Sequence, residues 1–165
     1  MRIYIGSDHV GYKFKKELEV YLAELGYEVE DRGTFKYDAD DDYPDFIRPV
    51  AEAVAEDTNS KGIIIGGSGQ GEAICANKTK GIRAVVFYGP KEAIGEVEIT
   101  GRKSADTFEI IKLAREHNDA NILSLGLRFI TEDEAKFACE LFLKTEFSGA
   151  ERHVRRINKI ESKDN

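Results

Sequence analysis

Short apolar runs alternate along this chain with longer amphipathic stretches, and that rhythm restricts it to an α/β fold. The runs are Arg2–Ile5, Glu28–Asp31, Gly62–Gly66, Arg83–Phe87 and Ile122–Leu125. The first, third and fourth are β-branched and nearly unbroken, as strands of a parallel sheet buried on both faces should be. Between and after them the spacing predicts helices over Gly11–Leu25, Pro44–Glu56, Gly71–Lys78, Ser104–His117, Glu132–Thr145 and Gly149–Ile160. In the first of these, Phe14, Leu18, Tyr21, Leu22 and Leu25 recur at spacings of three and four and make one apolar stripe. Gly26 stands where a C-cap is wanted, Pro44 suits a first helical turn, and Thr131 ahead of Glu132 and Glu134 reads as an N-cap. The stretch Gly89–Lys103 breaks the rhythm and reads as a surface loop or a short hairpin, since Glu96-Val97-Glu98-Ile99 alternates.

A chain of 165 residues has the usual size of one domain with a real core. The expected organisation is a single domain over residues 1–160, an insert at about 89–103 and a frayed tail at 161–165. With 31 acidic against 24 basic side chains the net charge is -7. Such a chain repels nucleic acid and anionic membranes unless its basic residues are gathered in one place. Cys75 and Cys139 lie in helix-like stretches without paired spacing, which points to free thiols in a reducing compartment. Arg2-Ile3-Tyr4-Ile5 opens as a strand with no signal peptide before it, and no apolar run is long enough to span a bilayer. The expectation is a cytoplasmic protein with no membrane partner.

Four constellations carry chemistry. The turn Gly66-Gly67-Ser68-Gly69-Gln70-Gly71-Glu72 leaves a buried strand and enters a helix. Its glycines allow a sharp turn whose N–H groups, beside a helix N-terminus, suit an anion or a developing oxyanion. Gln70 breaks G-x-S-x-G and Glu72 breaks G-x-G-x-x-G, so neither a nucleophile elbow nor a dinucleotide fingerprint is present. A tight βα turn with Glu72 as a capping carboxylate is the plain alternative. Ser7-Asp8-His9 ends the first strand at the same sheet edge, where Asp8 and His9 can move protons or bind hydroxyls, or Asp8 can cap the next helix. His117 and Asn118, within Arg115–Asn121, close a helix, a position that also favours a histidine as a dipole partner. Arg152-His153-Val154-Arg155-Arg156 gathers three arginines and a histidine, with Arg152 and Arg156 on one face and Arg128 elsewhere in the chain. Arginine suits bidentate phosphate binding, although a solvated basic face is the common fate of such a run. No aromatic interleaving supports a nucleic-acid partner.

Together these segments resemble the ribose-5-phosphate isomerase B family of sugar-phosphate isomerases. The resemblance runs from Met1 to about Ile160. It rests on Ile5 to Gly11, Asp42-Tyr43-Pro44, Gly66 to Gly71, Ala76-Asn77-Lys78, Gly81-Ile82-Arg83-Ala84, Arg115 to Asn121, Leu125-Gly126-Leu127-Arg128 and Arg152 to Arg156. Many members carry Cys where this chain has Gly66 and Thr where it has Ser68. A second subgroup has Gly, Ser and a Glu at the place of Glu72, and this chain is similar to that subgroup, also in Tyr37 to Pro44. Cys75 is offset from the catalytic Cys position. The Gly89–Lys103 segment is the departure, since similar proteins connect these elements with far fewer residues.

The resemblance implies a Rossmann-like three-layer α/β/α sandwich around a five-stranded parallel sheet, and an aldose–ketose isomerase of ribose 5-phosphate that needs no cofactor and no metal. It implies Glu72 as the base, Ser68 and the N–H groups of Gly67, Gly69 and Gly71 around the enediolate, and His117 with Asp8 at the sugar-ring oxygen. Tyr43 and His9 would line the sugar, Arg128, Arg152 and Arg156 would bind the phosphate, and Asn118 and His153 would count among the substrate-binding residues. A homodimer with shared sites is implied, or a dimer of dimers. A six-carbon sugar phosphate such as allose or galactose 6-phosphate, or a non-catalytic sugar-phosphate-binding role, are the alternatives.

Overall fold

The computed structural model describes residues 1–162. Its elements in order are β1 (Arg2–Ser7), α1 (Tyr12–Glu24), β2 (Glu28–Asp31), α2 (Pro44–Glu56), β3 (Lys61–Gly66), α3 (Gln70–Ala76), β4 (Ala84–Phe87), α4 (Glu109–Asn118), β5 (Ile122–Gly126), α5 (Glu132–Lys144) and α6 (Glu151–Glu161). The strands form one five-stranded sheet in the order β2-β1-β3-β5-β4, and every pairing is parallel.

Side chains alternate across a strand, so each strand feeds two cores. Ile3, Ile5, Ile63, Ile65, Leu123 and Leu125 face α1, α4 and α5. Tyr4, Ile64 and Ile122 face α2, which supplies Ile47, Val50, Ala51 and Val54. The helices therefore cover both faces, and the three layers follow from the unbroken isoleucine runs. α1 ends in a Schellman motif: Gly26, at φ 89°, donates to Ala23 O at 2.9 Å, and Tyr27 N donates to Leu22 O at 3.1 Å. Thr131 and Glu134 form a full capping box at the start of α5.

Several local expectations change. β4 lies at the sheet edge and is only half-buried, so its apolar run is not that of a central strand. α4 starts at Glu109, five residues later than its periodicity suggested. Ser104 and Asp106 instead accept backbone N–H groups two residues on, from Asp106 at 3.2 Å and Phe108 at 2.9 Å, and hold the chain in turns. Leu25, counted in the stripe of α1, sits beyond the last helical turn and is exposed. The Gly89–Lys103 segment contains no strand; Val97 N donates to Arg102 O at 2.7 Å and closes a turn. Glu161 is helical and bonded to Arg83 at 3.0 Å, so the expected tail does not fray there. Residues 163–165 of that tail lie outside the described residues. Among the described residues no helix is long and apolar enough to cross a membrane.

β1 leads toward β2 on one side, whereas β3 leads through α3 toward β4 on the other. The strand order thus reverses between β1 and β3. In open parallel sheets a crevice forms at such a point, outside the carboxyl ends of the strands. Asp8 and the glycine-rich turn both emerge there.

Candidate active site

The carboxyl-edge half is built around Glu72, the third residue of α3. Its carboxyl bends back over the end of β3, and a Cβ on Gly66 would overlap it. The neighbouring glycines make further clearances. The Arg128 guanidinium lies over Gly67, 3.1 Å from where a Cβ would be, and Tyr43 lies over Gly71 at 2.9 Å. Three side chains from three elements thus pack onto bare backbone. Leu127 N and Arg128 N donate to Gly66 O and Gly67 O, both at 3.0 Å, which carries the β3–β5 pairing into the turn. Ser124 Oγ donates to Gly69 O at 2.7 Å, so the turn is rigidly tied. Ser68 is exposed, with its hydroxyl accepting from Gln70 N at 3.3 Å.

Glu72 is 4% exposed and forms no side-chain hydrogen bond or ion pair among the described residues. Burial pushes its carboxyl upward, its own backbone N–H opposes that, nearby Asp8 raises it further and Arg128 lowers it. A helix-capping role does not describe it: the residue before α3 is Gly69, which makes no side-chain cap. Asp8 partly does meet the capping alternative, since its Oδ1 accepts from Val10 N at 2.9 Å and Gly11 N at 3.3 Å. Its carboxyl is also raised, chiefly by burial.

His9 stands beside Asp8 and bonds through Nδ1 to Asp41 Oδ1 at 2.6 Å, which raises its pKa. Asp41 escaped the sequence reading. Its side chain is 5% exposed and its second oxygen has no partner among the described residues. The signal was present as one carboxylate in the Tyr37–Pro44 stretch, but nothing local singles it out among three consecutive aspartates.

The second half lies at the opposite sheet edge. His117 and Asn118 occupy the last turn of α4, which leads through Asp119, at φ 43°, into the first residue of β5. The His117 ring packs against that of His153, with centroids 4.2 Å apart. His153 is buried; its Nε2 accepts from Arg152 Nε at 2.8 Å, and its Nδ1 is 3.3 Å from Glu116 O and 3.1 Å from Ser148 Oγ. The ring nitrogens of His153 are thus turned to Arg152, Ser148 and Glu116. Arg156 is exposed one turn further along α6, and Asn118 is exposed as well. Burial chiefly lowers the pKa of His117, as do His153 and Arg152, while Glu98 and Glu116 oppose them.

A strand of five residues spans about 16 Å at roughly 3.3 Å per residue. Glu72, Asp8, His9, Tyr43 and Arg128 are thus brought together at one edge, and His117, Asn118, Arg152, His153 and Arg156 at the other. The two sets do not meet within one chain. A cavity of about 490 Å³ beside the insert, lined by Tyr88, Ile94, Glu109 and Ile110, contains none of them.

The pattern of the Ribose/Galactose Isomerase family matches residues 3–100 and 104–160. The chain belongs to this family. Ribose-5-phosphate isomerase B of Mycolicibacterium paratuberculosis is 39% identical over 158 residues, which cover 96% of this chain and 88% of that protein. The crystal structure of ribose-5-phosphate isomerase B from Mycoplasma genitalium with bound ribulose-5-phosphate superposes with a TM-score of 0.83 at 37% identity, covering 97% of this chain and 93% of that one. The Clostridium thermocellum ribose-5-phosphate isomerase B structure gives a TM-score of 0.81 at 42% identity, covering 98% and 95%. These solved relatives share the three-layer parallel-sheet architecture. Cys75, expected to have no catalytic part, lies on α3, and its thiol is pushed up by burial, away from the reactive thiolate form.

Proposed function

We propose that this chain interconverts D-ribose 5-phosphate and D-ribulose 5-phosphate through an enediol, with Glu72 as the base. The observation that carries this is Glu72 itself, a buried carboxyl seated over Gly66 with no side-chain partner, in a family whose relatives carry that activity in their names. A C–H beside a carbonyl is a weak acid, so a carboxylate with raised proton affinity is the better acceptor.

The sugar enters as a furanose. The O1 hydroxyl loses its proton, the bond from C1 to the ring oxygen opens, and the ring oxygen takes a proton. His117, assisted by Asp8, carries that proton. Glu72 then removes the proton from C2 and delivers it to C1, while one proton passes from O2 to O1. Ser68 and the N–H groups of Gly67, Gly69 and Gly71 hold the charge that develops on oxygen. Removing one such donor costs about 2.7–4 kcal/mol in the transition state. His9 and Tyr43 line the sugar, Asn118 donates to it, and Arg128, Arg152 and Arg156 bind the phosphate. His153 fixes Arg152.

Because Glu72 and His117 stand at opposite sheet edges, a complete site takes one half from each of two copies. The working unit is a homodimer with shared sites, which a tetramer would contain twice, and the compartment is the cytoplasm. The test is ketose formation from ribose 5-phosphate with EDTA present, beside Glu72→Gln. Turnover that collapses in the variant supports a metal-free isomerase with this base. Wild-type protein that converts only allose or galactose 6-phosphate would move the substrate to six carbons.

A further inference from the structure

The insert reaches the His117 half of the site. A carboxylate oxygen of Glu98, one of Glu116 and a ring nitrogen of His117 all lie within 4.8 Å of one another. Glu98 is not a loose loop residue. Arg102 Nε donates to Glu98 Oε1 at 3.0 Å, and the same guanidinium bonds the buried Glu109 at 2.7 Å and approaches Glu116 at 3.8 Å. One arginine thus ties the insert to both ends of α4. The turn between the two residues is closed on itself, with Val97 N donating to Arg102 O at 2.7 Å and Gly101 N to Glu98 O at 3.0 Å. Arg102 falls in the three residues between the two stretches that the family pattern matches.

We propose that Glu98 is a positioning residue for His117: the insert, clamped by Arg102, delivers a carboxylate to the imidazole and keeps it able to take up a proton during ring opening. The groups facing His117 are Glu98 from the insert, Glu116 from its own helix, and His153 and Arg152 from α6, with Arg102 behind the carboxylates. Burial and the α6 groups disfavour the imidazolium, and the two carboxylates favour it. Taking Glu98 away leaves the ring with one carboxylate against two basic neighbours. It then becomes a poorer acceptor for the O1 proton and stays neutral over a wider pH range.

This inference rests on the assignment of His117 to ring opening, and the experiment separates the two. The ring signals of His9, His117 and His153 are followed by NMR against pH in the full chain and in Glu98→Gln, with His117→Asn identifying the His117 signal. In Glu98→Gln the His117 titration moves to lower pH, the acid limb of kcat/KM for ribose 5-phosphate moves with it, and Glu98→Asp restores most of both. The His9 titration stays where it was, which shows that the other half is intact. An unmoved His117 titration in Glu98→Gln with His9 unchanged overturns the proposal. A shifted titration together with full turnover by His117→Asn overturns the ring-opening assignment instead.

Discussion

The two halves of the site are built by different means. At the carboxyl edge, Glu72, Arg128 and Tyr43 rest on the backbone of a six-residue turn, and main-chain hydrogen bonds from β5 and the Ser124 hydroxyl hold that turn in place. At the amino edge, His117 and Arg152 both rest on another side chain, His153 of α6, which Ser148 meets in turn, and Glu98 of the insert stands close by. Backbone-seated groups leave little freedom of composition, since a Cβ at position 66 overlaps the Glu72 carboxyl and one at position 71 meets the Tyr43 ring at 2.9 Å. Groups held by side chains can be retuned one residue at a time. Under the proposed mechanism the first half therefore sets the reaction, and the second is where single substitutions can adjust it.

The sharpest test of that contrast is loss of the base. Glu72→Gln keeps the shape and removes the proton acceptor, and kcat falls by roughly 10²–10⁴-fold in a ketose-formation assay. Gly66→Ala leaves Glu72 in place but takes its seat, and displacing a reacting group in this way lowers kcat by roughly 10²-fold while the circular dichroism spectrum stays that of the wild type. Equal activity in Gly66→Ala would show that the carboxyl has another place to rest. Mixing inactive Glu72→Gln and His117→Asn chains returns about a quarter of wild-type activity, because about half of randomly paired dimers are mixed and each holds one intact site. Mixed samples that stay inactive would put both halves of each site on one chain. His153→Ala removes the support of Arg152 and the ring packed on His117, so kcat/KM falls about tenfold, the effect of losing roughly 1.4 kcal/mol.

A stability measurement probes the same base from the other side. The carboxyl of Glu72 is raised above its ordinary 4.5 by burial. A carboxyl of raised pKa favours the folded state at acid pH and disfavours it as pH climbs through the folded pKa. Glu72→Gln removes that penalty, so its Tm exceeds the wild-type value near neutral pH and the advantage vanishes below about pH 4. A Tm difference independent of pH would mean that Glu72 ionises freely in the folded protein.

Much of this architecture is legible in the amino-acid sequence. The strand runs and the bounds of α2 follow from periodicity, and Thr131 and Gly26 cap where their chemistry requires. The edge position of β4 was not readable, because an apolar run does not encode its neighbours in the sheet. The late start of α4 depends on Ser104 and Asp106 bonding backbone in competition with the helix. Within the site, the titratable residues stood out by type and order. The seating of Glu72 over Gly66 and of Tyr43 over Gly71 did not, since each pairs residues from different elements. Asp41 and Glu98 were hidden for the same reason, as a carboxylate acquires its role from a histidine far away in the chain.

The collision between a Cβ at position 66 and the carboxyl of Glu72 has a consequence for how the chain can vary. A side chain at position 66 and the carboxyl of Glu72 claim one volume, so the two positions form a single unit of variation. Any residue larger than glycine at the end of β3 requires the carboxyl on α3 to move or to shrink. Change at either place is therefore conditioned on the other, and residue 66 stays bare for as long as residue 72 carries its carboxyl over it.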